Sequence, residues 1–333
     1  MGIQTSSINS GPTAGFKNAI INGNFDVWQR STSQTIGNTA NTAYFTADRW
    51  FNFFDGTGGT RTISQQAFAL GQTDVPGNPK YYLKVNQTVA GTGATYNLLL
   101  QRIESVLTFA GQTVTMSFWA KAASATTITC NMGQGFGTGG SPSADVVAFT
   151  SSNCNLTTSW QKFTFTTTLP SVSGKTLGTS NNDYLAFQFI FPINTTLNID
   201  IAQVQVEQGP VATTFERRPI GTELALCQRY YCKTYSIDTA PGTVVNAGSV
   251  ISMASSGGVS NANFVHPVEM RAAPTYTLYN TATGATGTWQ DGTGTARAVT
   301  SGGISSRQGY IQCTTATASS LVLGHVVASI EVL

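Results

Sequence analysis

The sequence predicts an all-β protein: a two-sheet sandwich, a short helical junction and a smaller C-terminal β domain. Three observations predict it. Short segments alternate apolar and polar residues along most of the chain. Glycine (34 residues) and abundant Ser, Thr and Asn punctuate those segments. One stretch, Thr214 to Tyr231, departs from the alternation and combines charge, turn residues and a helical spacing.

At 333 residues the chain is long enough for two domains. Only 10% of residues are charged, against about a quarter in an ordinary globular domain. With 41% hydrophobic and 10% aromatic residues a core can form, and disorder is excluded. The net charge of +2 comes without a basic stripe, which excludes nucleic acid as a partner. No apolar run has the length of a membrane span, so no membrane insertion is expected, and Met1 to Ser7 lacks the pattern of a secretory leader. Cys130, Cys154, Cys227, Cys232 and Cys313 are odd in number and lack metal-ligand spacing, so free buried thiols are expected.

Residues 1–16, rich in Ser, Gly and Thr, read as an arm. Residues 17–208 form the first domain. Asn22-Gly23-Asn24-Phe25-Asp26 is a turn leading into an alternating strand through Trp28. Strands follow at 46–54, 81–85, 97–103, 113–122, 127–130, 160–166, 184–191 and 197–207. Many short antiparallel strands with turn-rich connections imply a sandwich. Residues 209–233 are a linker with a short helix. There Pro219 and Gly221 mark the entry and Thr222 is the expected N-cap, with Glu223 beside the helix start. Leu224, Leu226, Cys227, Tyr230 and Tyr231 supply its apolar face, which must pack against the sheets of its own chain or line an oligomer axis. Residues 234–333 form the second domain, with strands expected at 243–245, 250–253, 263–266, 275–279, 309–313 and 324–332.

Two stretches carry a resemblance. Residues 216–231, Glu-Arg-Arg-Pro-Ile-Gly-Thr-Glu-Leu-Ala-Leu-Cys-Gln-Arg-Tyr-Tyr, resemble the junction of bacteriophage and prophage tail-fibre or minor virion structural proteins. Residues 17–208 resemble carbohydrate-binding modules of the jelly-roll type. That likeness rests on Asn22 to Asp26, Val114 to Lys121, Trp160 to Phe163 and Ile199 to Glu207. The first resemblance implies a virion protein assembled in the bacterial host cytoplasm, forming homotrimers and contacting other virion proteins. With the second, it implies a tail fibre that binds host surface polysaccharide. The alternatives are a capsid decoration or head-fibre protein and an envelope-polysaccharide hydrolase. The jelly-roll family also implies a structural calcium at positions matching Asp26 and Asp200, although Ile201 stands where a second acid is usual.

Aromatic residues motivate the sugar-binding expectation, because their faces stack on sugar C–H groups while Asn, Gln and Asp supply directional hydrogen bonds. By alternation Trp50, Asn52 and Phe54 share one face of a strand, and Phe51 and Phe53 share the other. The expected glycan contacts are Trp28, Trp50, Asn52, Phe54 and Trp119, the last on the polar face of its strand beside Thr115, Ser117 and Lys121. Phe136 and Trp289, at glycine-rich segments, read as exposed anchors or as plugs. Catalytic residues are not expected: His266 and His325 sit in no motif, and no pair of the 15 acids, Asp48 with Asp55 included, is singled out.

Overall fold

A computed structural model describes residues 16–37, 43–314, 316 and 320–331. The expected N-terminal arm therefore falls, apart from Phe16, outside the described residues. Twelve strands make the first unit: β1 (Ser33–Gly37), β2 (Ala43–Phe45), β3 (Phe51–Phe54), β4 (Thr60–Ala67), β5 (Tyr81–Val89), β6 (Asn97–Ile103), β7 (Thr113–Ala122), β8 (Thr126–Gly135), β9 (Val146–Leu156), β10 (Gln161–Thr168), β11 (Tyr184–Ile190) and β12 (Leu197–Gln208). They form two antiparallel sheets of six, ordered β1-β4-β5-β12-β7-β10 and β2-β3-β6-β11-β8-β9. This unit is a jelly-roll β-sandwich.

Alternation decides which side chains meet between the sheets. On β7, Val114, Met116, Phe118 and Ala120 point inward and are buried. On β11, Leu185, Phe187 and Phe189 do the same, and Trp50 packs at 6.1 Å and 6.2 Å, ring to ring, from Phe189 and Phe187. β1, β4 and β9 have no counterpart in the sequence reading. They are rich in Thr, Ser and Gln, and two of them lie at sheet edges, where a one-sided apolar pattern fades. The expected strand through Trp28 is instead irregular chain after the Asn22 turn.

Helix α1 (Ile220–Gln228) joins the units. Pro219 occupies the N-cap position without a side-chain cap, so Thr222 lies inside the helix rather than capping it. Glu223 reaches across to the first unit. It accepts from the Asn22 backbone N–H and, at 3.1 Å, from Arg218.

The second unit contains β13 (Tyr231–Lys233), β14 (Val250–Met253), β15 (Ser260–Val265), β16 (Thr275–Asn280), β17 (Thr288–Asp291), β18 (Ala296–Gly302), β19 (Gln308–Cys313) and β20 (Leu321–Ser329). β20 is its hub, pairing with β13, β14, β16 and β17. The core gathers Trp289, Val322, Val326, Ile311 and Met270. Trp289 is therefore a core residue of β17 and no exposed anchor, and Phe136 is a fully buried plug. Residues 243–245 form irregular chain rather than a strand, and Val245 instead accepts a hydrogen bond from His325 Nε2 at 2.9 Å.

The units are fastened by a buried polar junction. Arg30 and Arg49 of the first unit both pair with Glu331 of the second. Their guanidinium groups lie 3.7 Å and 3.5 Å from the ring centroids of Tyr231 and Tyr230. Tyr230 donates its hydroxyl to Glu104 at 2.6 Å, and Gln29 donates to the Tyr231 carbonyl at 2.8 Å. Cys227, Tyr230 and Tyr231, expected to contribute to an oligomer axis, are thus consumed inside one chain. Leu224 and Leu226 remain half-buried.

Candidate functional site

An open groove of about 230 Å³ lies on the outer face of the second sheet. Its floor follows from strand parity: where Leu99, Gln101 and Ile103 of β6 point inward, Leu98, Leu100 and Arg102 point out. On β11 the outward set is Tyr184, Ala186 and Gln188, and on β3 it is Phe51 and Phe53. The segment Asp145 to Val147 forms one wall.

Aromatic rings line the groove. Phe53 and Tyr96 meet edge to face at 5.4 Å, and Tyr96 is 48% exposed. The Tyr184 ring lies against β8 because position 135 is glycine, where a Cβ would sit 2.4 Å from that ring. The Arg102 guanidinium is 4.1 Å from the Tyr184 centroid and 5.5 Å from that of Phe51. Burial lowers the Arg102 pKa against the opposing pull of Tyr184 and Asp145. Its Nε is buried without a hydrogen-bond partner. Burial raises the Tyr184 pKa, opposed by Arg102 and reinforced by its hydrogen bond to Asp145. Asp145 also accepts from the Phe136 N–H at 2.9 Å. Gln134 donates to the Pro170 carbonyl at 3.0 Å and Gln188 to that of Val147 at 3.3 Å, so both amides are held in place. The groove therefore offers an apolar floor, flat rings and fixed polar groups.

No protein-family model matches the chain, and no curated protein matches it. Solved structures do. A CBM4 carbohydrate-binding module is 22% identical over 56% of this chain and 98% of its own, with a TM-score of 0.32. The family 11 module of Clostridium thermocellum, in complex with a β-1,3-1,4-mixed-linked tetrasaccharide, is 12% identical over 55% of this chain and 99% of its own, at 0.32. The enzymatically active domain of bacteriophage CBA120 tailspike protein 4 is 14% identical over 58% of this chain but 21% of its own, at 0.33.

Four of the expected glycan contacts are placed elsewhere. Trp28 is buried and donates Nε1 to the Phe25 carbonyl at 2.8 Å, and Trp50 is fully buried and donates to that of Asn22 at 3.1 Å. Asn52 and Phe54 share the inward face with Trp50 and are also buried. The outward pair from the same strand, Phe51 and Phe53, lines the groove instead. Tyr96, Tyr184 and Arg102 were missed. For Tyr184 and Arg102 the available signal was that β6 and β11 carry apolar residues at both parities, so that their outward faces also offer apolar surface; Tyr96 precedes β6 and carried no such signal.

Trp119 lies on the other side of the sandwich, half-buried in a second pocket of about 240 Å³. This pocket forms between the first sheet and the chain that crosses it at 214–217. Asn24, Ser117, Lys162 and Gln203 complete its polar lining.

The two aspartates expected to hold calcium do not fit that ion. Asp200 is flanked by Lys84 at 3.4 Å and Lys121 at 3.8 Å, two ammonium groups where a calcium shell needs oxygens. Asp26 accepts from Asn24 Nδ2 at 2.8 Å and faces Arg217 and Lys80. Burial raises the pKa of both carboxyls. Among the described residues no group of three or more His, Cys, Asp or Glu is placed to hold a metal.

The histidines are structural. His266 contacts the Ser306 carbonyl through Nδ1 and the Tyr276 hydroxyl through Nε2, which fixes Nδ1 as the protonated nitrogen. His325 stacks 3.7 Å from the Tyr235 ring centroid and uses both nitrogens.

Proposed function

We propose that this chain is a non-enzymatic, glycan-binding component of a bacteriophage particle, a homotrimeric tail fibre that holds host surface polysaccharide. The groove on the second sheet carries the glycan reading. Leu98, Leu100 and Ala186 form an apolar floor, Phe53, Tyr96 and Tyr184 present rings, and Arg102 has an unpartnered buried donor. That combination suits a sugar ring, which has C–H faces and a rim of hydroxyls. Among the described lining residues Asp145 is the single carboxylate. Glycoside hydrolysis in its usual form needs two, which favours binding over cleavage.

The particle assignment rests on the sequence of the junction, residues 216–231. Association of copies is supported by the second unit, where Ile251 (61% exposed) and Met253 (60% exposed) pair with Leu323 and Leu321 as apolar rungs on β14 and β20. Copies held side by side would turn weak single-site affinity into firm attachment.

A glycan array probed with the full chain tests the binding function. Host-envelope oligosaccharides are expected to bind, and the double variant Phe53→Ala/Tyr96→Ala to bind roughly tenfold or more weakly. Retained binding by that variant would remove the groove from the function. Immunogold electron microscopy with an antibody to residues 234–333 tests the location. Label at the tail is expected; label over the head would make the chain a capsid decoration protein.

A further inference from the structure

The pocket around Trp119 faces away from the groove and differs from it in charge. We infer that it is a second saccharide site, one that takes a sugar bearing a carboxylate.

Three features of the lining make separate demands on a ligand. The first is an acceptor. Asn24 is 6% exposed, and its Nδ2 donates to Asp26 Oδ2 at 2.8 Å. A carboxylate only accepts, so this bond fixes the amide with nitrogen toward Asp26. The opposite atom, Oδ1, is left buried without a partner in a residue that lines the pocket. A buried acceptor without a donor is costly, and a ligand hydroxyl supplies the donor. The second feature is charge. Lys162 and Arg217 stand exposed at the pocket, and its described lining residues include no carboxylate. Arg217 also faces Asp26, whereas among the described lining residues Lys162 has no acid beside it. The third is the half-buried ring of Trp119, a flat apolar surface beside these polar groups.

The backbone builds this site. β12 pairs with β7 at Ala202↔Trp119 and again at Gln205↔Ser117, with a register shift between. Gln203 within that bulge takes φ of 51°, outside the usual range for a side-chain-bearing residue. The bulge turns Gln203 into the pocket, where Nε2 donates to the Pro76 carbonyl at 2.8 Å. A ring with hydroxyls and a carboxylate meets all three demands at once. A neutral sugar leaves Lys162 unmatched, and an inorganic anion leaves Trp119 and the Asn24 acceptor unmatched.

Calorimetric titration of the full chain with tetragalacturonate, and with uncharged galactotetraose, tests the inference. Tetragalacturonate is expected to bind more tightly than the neutral sugar and to weaken as salt rises. Trp119→Ala and Lys162→Gln are each expected to weaken it roughly tenfold, while Phe53→Ala/Tyr96→Ala leaves that binding in place. Lys162 is exposed, so its variant keeps the fold even where Trp119→Ala does not. No binding of tetragalacturonate, or binding that both pocket variants leave unchanged, would overturn the second site. Loss confined to Phe53→Ala/Tyr96→Ala would overturn it and leave the groove standing.

Discussion

Trp50 and Phe53 are three residues apart and have opposite fates. Strand alternation makes the separation legible in the sequence, because Trp50, Asn52 and Phe54 must face one way and Phe51 and Phe53 the other. Alternation does not say which set is core when both contain large rings. The expectation assigned the glycan to the set that the sandwich buries. What decides is long-range packing: Trp50 finds Phe25 of the Asn22 turn at 5.4 Å as well as Phe187 and Phe189 on the inner face of its own sheet, all distant in sequence. The two sets should separate on mutation. Trp50→Ala removes a fully buried ring and is expected to cost about 3–5 kcal/mol of stability. Phe53→Ala removes a partly exposed one and is expected to cost about 1 kcal/mol while impairing the groove. Urea denaturation of both variants checks the contrast, and equal losses would mean that Phe53 is part of the core.

Among the elements, those with a strong one-sided pattern were legible to the residue. β7 runs 113–122, as its alternation predicts. β4 and β9 were not, because Thr, Ser and Gln suit either face and β9 closes an edge of its sheet. β17 was lost for another reason. Gly287 and Gly292 bracket Trp289 and suggest a loop, yet the strand lays Trp289 over β20 at Gly324, where a Cβ would sit 2.0 Å from the indole. That close approach pairs residues distant in sequence and has no local signature. Helix α1 was legible in place but not in partner. Its apolar side chains called for burial, and sequence alone left open whether the same chain or a second copy supplied it. Arg49, Glu104 and Glu331, far away in sequence, settle Tyr230 within the chain.

At the scale of the whole molecule, the two β units share one buried junction, so its electrostatics bear on the stability of both. Asp48 is 1% exposed, accepts from the Gln29 backbone N–H at 3.0 Å and also from its side chain, and lies 3.6 Å from Arg30. Burial nevertheless outweighs these partners and pushes its pKa up from 3.8 to about 6. The pKa of Arg30, by contrast, is raised, because Glu331 and Asp48 together overcome its burial. One guanidinium serves two carboxylates, and Glu331, with Arg49 as a second partner, is the better served. Asp48 is the undercompensated member. A folded-state pKa above the unfolded value means that the native protein binds the proton more tightly. The stability this contributes is complete below pH 3.8 and is lost as pH rises through about 6. The loss amounts to roughly 2 kcal/mol between pH 4 and pH 7. Asp48→Asn keeps the shape and cannot ionise, so its stability should lack this component. Urea unfolding of the native chain and of Asp48→Asn at intervals across that range gives the test. The native chain is expected to lose stability relative to the variant as pH rises, whatever constant offset the changed hydrogen bonds introduce. A difference that stays flat with pH would mean that Arg30 and Gln29 fully compensate the buried charge, and that the junction tolerates ionised Asp48 without cost to either unit.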